Sequence, residues 1–88
     1  MPYIKNQDKP RVRETGPTNS GELNFLLTEI VQSYFVNNGG RYQQINDIVG
    51  ALEGAKLEFT RRVTSPYEDT KIKENGDVMH TSLTKEGK

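Results

Sequence analysis

The chain has 88 residues, 32% of them hydrophobic and 27% charged, with twelve Lys and Arg balancing twelve Asp and Glu. That size holds one small domain and excludes an enzyme carrying a separate cofactor domain. Zero net charge argues against a general affinity for nucleic acid, which a basic footprint usually drives. No cysteine is present, so disulfides, thiolate metal sites and cysteine nucleophiles are excluded together. No run approaches the roughly 18 apolar residues that span a bilayer, so no membrane partner is expected. Met1–Pro10 has no apolar leader-like core, and a cytoplasmic location is the default expectation.

Met1–Ile4 (MPYI) is a short apolar hook. Lys5–Ser20 holds two prolines and a glycine among mostly polar residues, with no period of 2 or 3.6. Residues 1–20 therefore read as an extended arm. A helical domain over residues 21–76 and a flexible tail over 77–88 complete the expected organisation.

Gly21–Asn37 is the clearest element. Leu23, Leu26, Leu27, Ile30, Val31, Tyr34 and Phe35 fall at helical spacing and form one apolar stripe. Phe25 and Val36 lie off it, which points to burial on more than one side. Asn19 and Glu22 have capping-box spacing, with Ser20 as a competing N-cap. Asn37-Asn38-Gly39-Gly40 stops the helix, because Asn and Gly tolerate the left-handed conformation.

Arg41–Val63 reads as the second long helix, with Ile45, Ile48, Val49, Leu52, Ala55, Phe59 and Val63 on its main stripe. So short a break between the two predicts an antiparallel helical hairpin. Gly50 and Gly54 lie away from that stripe with Leu57 between them. Glycines in a helix interior are unfavourable, so their presence there points to a close approach by another backbone. Gly50, Gly54 and Leu57 are accordingly the expected oligomer interface.

Ser65-Pro66-Tyr67-Glu68 has the form of a helix restart, with an N-cap serine and proline at the first position. A short helix over Pro66–Glu74 is expected, stopped by Asn75-Gly76. The rival reading makes Asn75-Gly76 a hairpin turn that pairs Thr70–Glu74 with Asp77–Thr81. The Glu and Lys content favours the helix. The fold class is thus all-α: a two-helix hairpin plus a short C-terminal helix. A hairpin alone cannot cover both faces of both helices. Without disulfide or metal, oligomerisation into a helical bundle is the expected source of stability, and a dimer closing four helices is its simplest form.

Three segments carry a resemblance. They are the opening MPYI, the Gly21-Glu22-Leu23-Asn24 helix start, and the stretch Val49–Val78 that contains ALEGAKLEF, RRV and PYEDTKIKENGD. Together they resemble a family of small uncharacterised proteins from bacteriophages and bacterial genomes. The resemblance implies a phage or prophage context, a host-cell cytoplasmic location and a mostly helical fold, and it supplies no activity. It also implies a helix between the MPYI start and the second segment, where Lys5–Ser20 reads by itself as a polar arm.

Candidate chemistry is sparse. His80 beside Thr81 and Ser82 sits in a polar tail that does not hold the geometry of a nucleophile–base pair. Glu68, Asp69, Glu74 and Asp77 lack the pattern of a calcium loop, and the first two suit a helix N-terminus. Lys56, Arg61 and Arg62, with Arg41, scatter around the second helix. Lys56, Arg61, Arg62 and Tyr67 are the candidate contacts for an anion or base, though pairing with Glu58, Glu68 or Asp69 is the plainer expectation. Arg11 and Arg13 are flanked by acids and carry little nucleic-acid signal. The glycine pairs match no phosphate or dinucleotide loop. No enzyme and no cofactor are expected. The leading expectation is a homo-oligomeric interaction module acting on a host or phage protein. The alternative is sequestration of a nucleotide-like ligand between subunits.

Overall fold

The computed structural model describes residues 1–79 and 81–84. Among these residues the chain is all-helical and has no strand. A 3-10 turn at Asn6–Asp8 leads into α1 (Lys9–Thr15), followed by α2 (Ser20–Asn37) and α3 (Tyr42–Phe59). A π-helical segment (Thr60–Thr64), α4 (Ser65–Asn75) and a single turn, α5 (Thr81–Thr84), complete the order. Two compact units divide the chain, Met1–Ala51 and Leu52–Lys88.

In the first unit, the expected extended arm is corrected. Residues 9–15 are helical, with Pro10 in the first turn and Gly16 just past the end at φ 96°. Proline loses no intrahelical bond there, and glycine enters the left-handed region without a Cβ penalty. The Gly16 N–H closes the helix onto the Val12 carbonyl at 2.9 Å. The helix that the resemblance implied is therefore present.

Helix α2 begins as its cap predicts. The Asn19 side chain accepts the Glu22 N–H at 2.9 Å, so Asn19 rather than Ser20 is the N-cap. The helix ends at Asn37, where Gly39 (φ 115°) and Gly40 (φ 59°) turn the chain and Gly40 N–H bonds the Phe35 carbonyl. Gln44 then reaches back to accept the Arg41 N–H at 3.0 Å. That is the second half of a capping box, and it starts α3 at Tyr42.

The core lies where α1 meets α2. Val12 is completely buried and Phe25 is 8% exposed. Phe25 is off the long apolar stripe of α2, and its face is the one α1 covers. Most of the stripe, by contrast, stays substantially exposed, at Leu23, Leu27, Ile30 and Tyr34. Periodicity placed these side chains on one face but did not determine whether anything packs on it.

In the second unit, the expected helix end at Val63 and restart at Pro66 are corrected. The backbone stays helical from Leu52 to Asn75. Thr64 and Ser65 have right-handed helical angles, and neither side chain caps a helix. Pro66 has no N–H, and in an α-helix its ring meets the carbonyl four residues back. One wider turn relieves that clash: Ser65 N–H bonds the Thr60 carbonyl, five residues back. No hairpin is present at Asn75-Gly76; Gly76 N–H bonds the Ile72 carbonyl and closes α4. The expectations for His80 and for residues 85–88 lie outside the described residues.

Candidate interaction surface

The first unit is built around a charged cluster that joins α1 to α2. Glu22, Phe25 and Glu29 recur at i, i+3 and i+7 on α2, so they share one face. Lys9, Val12 and Arg13, at i, i+3 and i+4, share one face of α1. Arg11 Nη2 donates to Glu22 Oε2 at 2.6 Å. The other carboxylate oxygen of Glu22 accepts both the backbone N–H and the hydroxyl of Thr18, each at 2.9 Å. Glu22 therefore caps Thr18 in place of Asn19, one residue beyond a standard capping box. The Arg11 guanidinium, followed by the Thr18 N–H, holds the Glu22 carboxyl down at about 2. Arg11 is raised by the same bond.

Arg13 grips Glu29 in a two-pronged fork, Nε to Oε1 at 2.9 Å and Nη2 to Oε2 at 2.6 Å. Glu29 is lowered and Arg13 raised by that contact. The Phe25 ring lies under two of the α1 cations, with Lys9 Nζ 5.7 Å and the Arg13 guanidinium 5.5 Å from its centroid. Both sit within cation–π range. Arg11 and Arg13 pair with Glu22 and Glu29, so both carboxylates of α2 are used within the chain.

Toward α3, the Tyr34 hydroxyl donates to Asp47 at 2.7 Å, which raises the phenol above its ordinary value. Gln43 donates to the other Asp47 oxygen at 2.7 Å. Beside these bonds runs an open groove of about 350 Å³. Val31 and Phe35 of α2 and Ile45, Ile48 and Val49 of α3 line it.

The residues singled out by sequence fall on exposed helix surface. A Cβ built at Gly50 or at Gly54 meets nothing within 4 Å, and Leu57 is exposed. Arg61 Nη2 and Arg62 Nη1 both reach the same Glu58 oxygen, at 2.9 and 3.3 Å. Glu58 was one of the three partners expected for them, and exposed pairs of this kind contribute about 0–1 kcal/mol. The Tyr67 ring is covered by Lys71, 5.5 Å from its centroid. Lys56 is exposed in the last turn of α3. Among the described residues, no group of three or more His, Asp or Glu side chains is placed to hold a metal. No helix among them is long and apolar enough to cross a membrane.

Sequence reasoning missed the α1–α2 cluster. Two signals for it were available: the Pro10 to Gly16 punctuation of a short helix, and the i, i+3, i+7 recurrence of Glu22, Phe25 and Glu29. Neither identifies the pairing, because Arg11 to Glu22 and Arg13 to Glu29 span a reversal of the chain.

These features describe a small all-helical protein with one compact ion-paired corner and long uncovered apolar faces. The chain belongs to the family described as a domain of unknown function, DUF6899, whose model matches residues 1–78. No curated protein matches it. No solved structure matches it either.

Proposed function

We propose that this chain is a non-enzymatic interaction module, a small accessory protein of phage or prophage type. It works as a homo-oligomer and docks on a host or phage protein in the host cytoplasm. The observation that carries this is the exposure of the apolar stripes on α2 and α3 beside a core of only Val12 and Phe25 among the described residues. Contiguous apolar surface of that extent marks an interaction site on a folded protein. The Tyr34–Asp47 bond and the groove beside it support an antiparallel α2–α3 hairpin, and a second hairpin packed against it closes a four-helix bundle. Open space over Gly50 and Gly54 supports the close helix contact proposed there with Leu57.

Sedimentation equilibrium on the full chain tests this. The expected result is a mass above that of one chain, reduced or destabilised by Gly54→Leu. A monomer at every concentration, with Gly54→Leu unchanged in size and thermal stability, overturns it.

A further inference from the structure

The exposed stripe of α2 has a more specific form than a general apolar face. Leu23, Leu27, Ile30 and Tyr34 follow one another at intervals of four, three and four residues. That is the a/d alternation of a coiled-coil seam, whose knobs need the holes of a facing helix. Within the chain they are 50%, 44%, 67% and 40% exposed, with Ile30 at the centre the most open.

The charge around this seam indicates what faces it. Asn24, Leu26, Val31 and Ser33 flank it, and none is ionisable. Coiled coils choose unlike partners through charges at these flanking positions. The only charged residues of α2 are Glu22 and Glu29, and Arg11 and Arg13 of the same chain engage both. A partner selected by charge has nothing to read here. A second copy of α2 meets no like charge and brings an identical apolar seam, which is what an isologous two-fold contact requires.

We infer that Leu23, Leu27, Ile30 and Tyr34 form a self-recognition seam, across which α2 packs on α2 of a second copy of this chain. The contact rests on the homo-oligomer proposed above and assigns it a face distinct from the glycine strip of α3. Four half-open side chains on each copy cover less than the roughly 1,200 Å² of a standard specific interface, which is the range of weak and transient contacts. The α2 contact by itself dissociates on dilution.

Sedimentation equilibrium over a concentration series of the full chain, compared with Ile30→Glu, tests the seam. Ile30 is mostly exposed in the single chain, so the variant keeps the wild-type helical circular dichroism. The expected result is concentration-dependent self-association of the wild type and at least a tenfold weaker association of Ile30→Glu. A second arm is independent of that variant's folding. The chain has no cysteine, so Ile30→Cys treated with a short bismaleimide gives a covalent dimer, while Val78→Cys, at a site 95% exposed, does not. If the wild type self-associates and neither Ile30→Glu weakens it nor Ile30→Cys cross-links, the α2 seam is overturned and the homo-oligomer stands. A wild type that is monomeric throughout overturns both.

Discussion

Replacing Val12 with alanine tests whether the N-terminal helix is docked or merely helical. Val12 is the one described side chain with no exposed surface. Alanine removes two methyl-sized groups from it. At about 0.8 kcal/mol per buried group, with a further contribution from the cavity left behind, the loss is about 2 kcal/mol. A local loss of that size raises the undocked population of α1 about thirtyfold. Trypsin reports it directly, because α1 carries Arg11 and Arg13. When opening and closing are fast relative to cleavage, the cutting rate follows the open population. Cleavage after these two arginines is therefore expected to rise about thirtyfold in Val12→Ala, with Val78→Ala as an unaffected control. Equal cleavage rates in Val12→Ala and wild type refute the docking of α1 on α2.

Three further outcomes follow from the geometry. Glu22 is lowered from 4.5 to about 2 in the folded chain, so its contribution to stability is complete above pH 4.5 and fades as pH falls toward 2. The α1 amide resonances should lose their folded positions over that window, and Glu22→Gln should remove most of the dependence; a profile that Glu22→Gln leaves unchanged contradicts this. Asn19→Ala deletes the acceptor for the Glu22 N–H and is expected to destabilise by about 1 kcal/mol in thermal melts, whereas Asn19→Asp retains it. Pro66→Ala restores a backbone donor opposite the Arg62 carbonyl, so the wide turn at 60–64 should revert to α-helix. The gain is up to about 3 kcal/mol, read as a higher Tm. A lower Tm would mean that proline is not the origin of the turn.

Local signals in the sequence translated well. The Asn19 cap, the Asn-Gly-Gly stop and the existence of α2 are decided by residues within four positions of one another. Helix α1 was harder to read, because seven residues with a single buried apolar side chain present no period. Its formation depends on Glu22 and Glu29, which lie beyond the turn. Pro66 was ambiguous for another reason. The same residue starts a helix when the chain before it is extended, and widens a helix when that chain is already helical. Nothing near Ser65 distinguishes the two; the helical run before it decides. The α2 stripe was legible as a face, but no pattern within one chain states whether its cover is intramolecular.

The wide turn at Thr60–Thr64 also determines where the chain tolerates a change of length. A five-residue hydrogen bond is what remains when one residue has been added to a helix without breaking it. Removing a residue elsewhere in a helix turns everything beyond by about 100° and moves every later side chain to another face. Removing one residue between 60 and 64 restores the ordinary repeat instead, provided that Pro66 changes with it. In this family, insertions and deletions in the C-terminal helix are thus expected to concentrate at that turn and to travel with the proline.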